Sequence, residues 1–180
     1  MRKHNFLIPA VFTFCMILGS LANQSAQAQI NMNQAHSLFL YNFAKYSEFP
    51  SNTNTTFKIV ILNNSDVYGK LKKTVSGRKI QGRPVVVKNI SLLKSLRKEI
   101  DDINILFIPM SKSNLISEIV KLTKGKPILI ITEKSGLQKH GACVSFVVLN
   151  NKLKFQVNTD TLSNRNLKIA RAMLNFAYKG

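Results

Sequence analysis

Hydrophobic and polar positions follow two rhythms along this chain, and the alternation between them predicts its elements. Over residues 33–48, Ala35, Leu38, Phe39, Asn42, Phe43 and Tyr46 recur at helical spacing, and Pro50 stops the run. Leu40, Tyr41 and Ala44 add apolar area off that face. Such a helix is either buried on two sides or keeps a second surface, here rimmed by Lys45. Phe57–Leu62 (FKIVIL) predicts a buried strand, after which the residues 63–66 (Asn-Asn-Ser-Asp) can cap a helix. That helix shares Val67, Tyr68, Leu71 and Val75 on one face and ends at Gly77. A further strand begins at Arg83-Pro84, and a third helix carries Leu92, Leu93, Leu96 and Ile100. Ile103–Ile108 is apolar but for Asn104 and closed by Pro109, and Ser113 can cap a fourth helix bearing Leu115, Ile116, Ile119 and Val120. Gly125 ends it, and residues 127–132 form another apolar strand.

After that the rhythm changes. Residues 142–149 and 152–158 predict two strands joined at Asn150-Asn151, a pair that tolerates the positive φ of a tight hairpin turn. In the second, Leu153, Phe155 and Val157 alternate with Lys152, Lys154, Gln156 and Asn158, so one side is buried and the other wet. A last helix, capped by Thr159 or Asp160, would bury Ile169, Ala170, Met173, Leu174 and Ala177. Continuous apolar strands between amphipathic helices indicate a parallel sheet covered on both faces. The predicted fold is α/β: a Rossmann-like three-layer α/β/α sandwich, mostly parallel, with a C-terminal antiparallel hairpin and a terminal helix.

The first residues break the pattern. Arg2 and Lys3 precede an uncharged apolar run from Phe6 to Leu21, and Ala26-Gln27-Ala28 has the small-x-small form of a cleavage site. Residues 1–28 are therefore read as a signal peptide and 29–180 as one domain. The apolar run is short for a span, which needs roughly 20 residues. Cleavage removes no acid, so the net charge of +18 becomes +16. It also removes Cys15 and leaves Cys143 alone in an apolar stretch, where a small buried hydrophobe is the plain reading.

Candidate chemistry is sparse. His36 and His140 are the histidines left after cleavage, and neither sits in a hydrolase motif. His36 reads as solvated or half-buried. No convergent metal-ligating set, no glycine-rich nucleotide loop after the first strand and no nucleic-acid motif is found. Lys124-Gly125-Lys126-Pro127 reads as a helix C-cap with cations at the negative dipole end. Catalysis, cofactors, metals and nucleic acid are accordingly not expected.

The ordered set of segments is similar to one family. Ser37 to Pro50, SLFLYNFAKYSEFP, resembles the first-helix signature of the YfiR family. Gly82 to Val87, Asn104 to Ile108, Gly136 with Gly141 to Leu149, Lys154 to Asn158 and Asn166 to Ala177 resemble further segments of that family in order. The resemblance implies a periplasmic regulator, peripheral to the membrane, that binds the outer domain of an inner-membrane signalling protein such as a diguanylate cyclase or sensor kinase. It also implies members that dimerise, and occasional small anionic ligands. Three departures stand out: Phe49 replaces a Trp, Gln156 replaces an acid, and paired cysteines are missing.

Two sets of binding residues follow. Tyr41 and Lys45 on the first helix, with Gln156 and Leu162 at the corner of hairpin and last helix, are the candidates for partner contact. Lys72, Lys73, Arg78 and Arg83 lie in the densest run of cations and are the candidates for an anion, whether a small ligand or an envelope component.

Overall fold

The computed structural model describes residues 32–51 and 54–178. The expected signal peptide lies outside the described residues, and among those described no helix is long and apolar enough to cross a membrane.

A seven-stranded, mostly parallel sheet forms the centre, in the order β3-β4-β2-β5-β6-β7-β8. Its strands are β2 (Phe57–Leu62), β3 (Lys79–Ile80), β4 (Arg83–Ile90), β5 (Ile103–Ile108), β6 (Leu129–Thr132), β7 (Val144–Leu149) and β8 (Lys152–Val157). β4, β2, β5, β6 and β7 are parallel, and β3 and β8 add antiparallel edges. Counted by first appearance, the parallel strands run 2-1-3-4-5, the flavodoxin-like order of doubly wound sheets. Every position of β2, β5 and β6 is buried, which requires cover on both faces.

The helices are α1 (32–46), α2 (Ser65–Thr74), α3 (Leu93–Glu99), α4 (Ile116–Leu122), α5 (Thr159–Ser163) and α6 (Arg171–Leu174). Asn64 caps α2 by accepting from the Val67 N–H at 3.0 Å, as its position predicts. Asn150 and Asn151 both take positive φ, 49° and 57°, and make the β7–β8 turn.

Three expectations need correction. The single terminal helix does not form. Asn158 caps the short α5, Asn166 turns the chain at φ 53°, and β9 (Lys168–Ile169) pairs with β1 (Ser47–Glu48) before α6 begins. Ser163, Asn164 and Asn166 are weak helix formers whose side chains compete for backbone partners. Leu167 and Ile169 then alternate inward with exposed Lys168, a strand rhythm. Ser113 caps nothing, because a 3-10 turn over Met110–Leu115 takes the chain from Pro109 into α4. The third correction concerns α1. Its buried residues are Asn33, His36, Ser37, Leu40, Phe43 and Ala44, so the inner face is rotated from the predicted one. Leu38 and Tyr46 are exposed at 45% and 41%. Phe43 meets Phe155 edge-on at 5.0 Å, and His36 lies 5.0 Å from Phe146, which fixes α1 over the β7–β8 end of the sheet.

Candidate functional site: an apolar groove at an open sheet edge

Because polar residues occupy part of its inner face, α1 leaves large apolar side chains elsewhere. Phe39, Asn42 and Tyr46 form one wall of a groove, Ala172, Met173 and Phe176 of α6 and the turn after it form the other, and Leu153 and Lys154 of β8 complete the lining. The groove has a volume of about 450 Å³. Phe176 is 67% exposed at its mouth. Phe39 stands 5.7 Å from Phe155, so this wall is anchored in the aromatic core below it.

β8 is the last strand of the sheet. Asn158 N–H donates to Cys143 carbonyl at 2.9 Å, which sets the hydrogen-bonding parity of the ladder. By that parity Leu153, Phe155 and Val157 turn their backbone groups away from β7. The chain already uses one of them: the Tyr178 N–H donates to the Phe155 carbonyl at 2.7 Å.

The residues nominated from the sequence do not gather into one site. Tyr41 is half-buried under Arg78, whose guanidinium lies 4.8 Å from the ring and donates to the phenol oxygen at 2.9 Å. One partner candidate and one anion candidate thus meet each other. Lys45 is exposed, with its ammonium 5.0 Å from the Tyr46 ring at the groove rim. Gln156 points to the other side of β8 and accepts from the buried Gln138 amide at 3.0 Å. Leu162, placed above at the docking corner, is buried at 4% within the core cluster and offers a partner no surface. Its backbone carbonyl accepts from Leu167 and Arg165, so the turn after α5 wraps around it.

The four anion candidates lie around α2 and the β3–β4 hairpin. Lys72 and Lys73 are exposed on the last turn of α2, and the Lys72 ammonium is 5.8 Å from the Tyr68 ring. Arg83 lies 5.3 Å over Phe57 and donates to Gln81 at 2.9 Å. Lys88, part of the same basic run, is already neutralised. It pairs with Glu99 at 2.6 Å, and Glu99 also holds the buried Lys58 at 2.9 Å. The hydrogen bonds from Lys88 and Lys58 hold the Glu99 carboxyl below its ordinary range. Burial pulls on Lys58 in the opposite sense, but Glu99 and Asp102 outweigh it and its ammonium is raised.

Two buried polar groups escaped sequence reasoning or were misplaced by it. His36 is 3% exposed rather than solvated or half-buried, and Nδ1 has no partner. Burial lowers its pKa, against the pull of Glu133. Arg165 is buried and donates to the Thr123 and Lys126 carbonyls at 3.0 and 3.2 Å and to Thr123 Oγ1 at 3.0 Å. Its guanidinium closes the C-terminal end of α4, where carbonyls lack helical partners and the dipole is negative. No sequence signal distinguishes it from the exposed cations. Cys143 is buried as expected, and burial pushes its thiol up to about 11, far from a reactive thiolate. Among the described residues no group of three or more His, Cys, Asp or Glu could hold a metal ion.

The described residues thus form an α/β domain whose mostly parallel seven-stranded sheet ends in an edge strand beside an apolar groove. The chain belongs to the YfiR/HmsC-like family, whose match spans residues 33–178. Members of that family are generally regulators without enzymatic activity. No curated protein matches the chain.

Proposed function

We propose that this chain is a periplasmic regulatory protein that controls an inner-membrane signalling protein, a diguanylate cyclase or a sensor kinase, by binding its outer domain. Family membership over residues 33–178 carries the reading. The exposed aromatic groove supports it, since a regulator that acts by binding must keep apolar surface available. On this reading residues 1–28 direct export and are removed, the domain spans 29–180, and its layers form a Rossmann-like sandwich. Tyr41, Lys45 and Gln156 remain its candidate contact residues. It acts by holding one state of the sensor more tightly than the other, with no reaction, cofactor or metal of its own and no role for nucleic acid. Some members of this type pair with themselves, and a homodimer is compatible with the reading.

The test is deletion of the chain in its own cell, with the cyclic dinucleotide pool and sensor phosphorylation as readouts. One of them is expected to change and to return on complementation. If both stay constant while the protein is exported, the regulatory reading fails.

A second reading has its own observation. The chain carries 26 Lys and Arg against 8 Asp and Glu. Five of those acids, Glu48, Glu99, Asp101, Asp102 and Glu118, already pair with cations. The surface around Lys72, Lys73, Arg78 and Arg83 therefore attracts anions, and an anionic envelope component or small ligand is the alternative partner.

A further inference from the structure

We propose that the outer edge of β8, set in the groove between α1 and α6, is a strand-addition site for an extended partner segment in which apolar and acidic residues alternate. The inference rests on the reading of the chain as a binding regulator and specifies how that binding is made.

Three observations carry it. First, the edge is open. By the ladder parity Leu153 turns both backbone groups outward, and among the described residues no third strand pairs with β8. An unpaired row of this kind is a template for another chain. Second, the edge already accepts a backbone donor, since the Tyr178 N–H bonds the Phe155 carbonyl at 2.7 Å. That contact covers the Phe155 end and leaves the Leu153 end clear. Third, the groove lies along that clear end. Side chains on one side of an added strand would enter between Phe39 and Tyr46 on one wall and Met173 and Phe176 on the other.

Charge selects the occupant. No acid lines the groove. Lys154 lines it, Lys45 stands at its rim beside Tyr46, and the exposed Lys152 and Arg171 adjoin the lining residues Leu153 and Ala172 in the chain. Glu48, the acid nearest this wall in sequence, faces Lys168 at 4.0 Å. A second copy would set Lys152 and Lys154 against a like-charged strand, which is unfavourable across a strand pair. An acidic residue opposite those lysines is favourable, so the edge fits a foreign acidic segment better than itself.

The experiment selects ligands from a random peptide display library on the folded domain. Selected peptides are expected to alternate apolar and acidic residues. N-methylation of alternate backbone amides, which blocks strand pairing, should weaken a synthesised winner at least tenfold. Lys154→Glu should weaken it by a similar factor, and so should Leu153→Pro, which removes an outward N–H where an edge strand tolerates proline. Circular dichroism of both variants checks that they fold. Selected peptides with helical spacing or basic character overturn the proposal, as does affinity that survives N-methylation. A dimer in sedimentation that Leu153→Pro dissolves also overturns it, by giving the edge to a second copy. None of these outcomes depends on sensor output, so the strand-addition site can fail while the regulatory reading stands.

Discussion

The two edges of the sheet solve the edge-strand problem in opposite ways. β3 is two residues long, turns back at Gln81-Gly82 with φ of 49° and 76°, follows Arg78 and pairs with Arg83, and the exposed Lys72 and Lys73 lie on α2 just before it in the chain. A short strand dressed in cations invites no pairing. β8 is six residues long, carries Phe155 fully buried on one side and meets Tyr178 at a single backbone position. One edge offers little backbone to a further strand, and the other keeps its backbone available beside apolar walls. On the proposed reading, in which the chain acts by holding a partner and its cations attract anions, the division separates long-range attraction from the contact that fixes register.

The largest expected effect breaks the β8 side outright. Leu162→Asp places a charge in the core beneath the turn after α5, and should cost more than about 3 kcal/mol in urea unfolding, with loss of a cooperative transition at 37 °C. A stable, cooperatively folded variant would return Leu162 to the surface. Next, Phe155→Ala should cost about 4 kcal/mol, whereas Ile80→Ala on β3 should cost about 2 kcal/mol. Equal losses would mean that the two edges are anchored alike, contrary to the aromatic stack of Phe39, Phe43 and Phe155 under one of them.

These positions also show what was legible beforehand. Near-continuous apolar runs exposed β2, β5 and β6, since a strand buried on both faces writes itself mostly in Ile, Leu, Val and Phe, with Lys58, Asn104 and Thr132 the polar exceptions. Asn64 and Asn150-Asn151 were legible because their side chains act on neighbouring backbone. The β1–β9 pair was not, because two residues on each side joined across more than a hundred positions leave no local rhythm. β3 was missed although Gln81-Gly82 is a hairpin signal, because a strand of two residues has no alternation to read. The face of α1 was misassigned for a reason tied to the site. Asn33, His36 and Ser37 are buried while Leu38 and Tyr46 are exposed, so hydrophobicity alone pointed at the groove wall as if it were core. Surplus apolar residues on that helix were the readable trace of the groove. α6 and the turn after it, which supply the opposite wall, were hidden inside a helix that does not exist in that form.

Between the edges, the ionic cluster of Lys58, Lys88, Glu99 and Asp102 sharpens the comparison by showing which cations are not free. Glu99→Gln leaves Lys58 with only Asp102 and should cost about 2 kcal/mol at neutral pH. The folded Glu99 carboxyl titrates below its ordinary 4.5. Its contribution is therefore complete above that value and is lost as pH falls through the folded value. Wild type and variant should converge in urea midpoint as pH drops below 4.5. A gap that does not narrow as pH falls below 4.5 would make the cost one of packing rather than charge.

His36 adds a smaller effect at the other end of the sheet. Its folded pKa lies below 6.5 because the imidazole is buried against Phe107 and Phe146. The unfolded state therefore binds the extra proton first, and stability declines as pH falls below 6.5 toward the folded value. His36→Gln should flatten the stability profile in that window, read as a loss of the slope in urea midpoint against pH. If wild type shows no slope there, Glu133 compensates the proton fully.

The smallest effect on folding comes with the clearest separation of roles. Replacing Lys72, Lys73, Arg78 and Arg83 together by Gln should change stability by less than about 1 kcal/mol, since exposed charges contribute little and the Arg78–Tyr41 stack only modestly. Binding to phosphatidylglycerol vesicles at low salt should nevertheless fall at least tenfold, and the wild-type affinity should itself collapse as salt screens the surface. Lys45→Gln with Lys154→Gln, at the other edge, removes half as many charges and should leave vesicle binding within about threefold, because the denser run of cations around α2 and the β3–β4 hairpin is untouched. Comparable losses from both sets would mean that the basic charge acts as one diffuse shell. The two edges would then differ in shape alone, and attraction of anions would belong to the whole surface rather than to the end that α2 and the β3–β4 hairpin build.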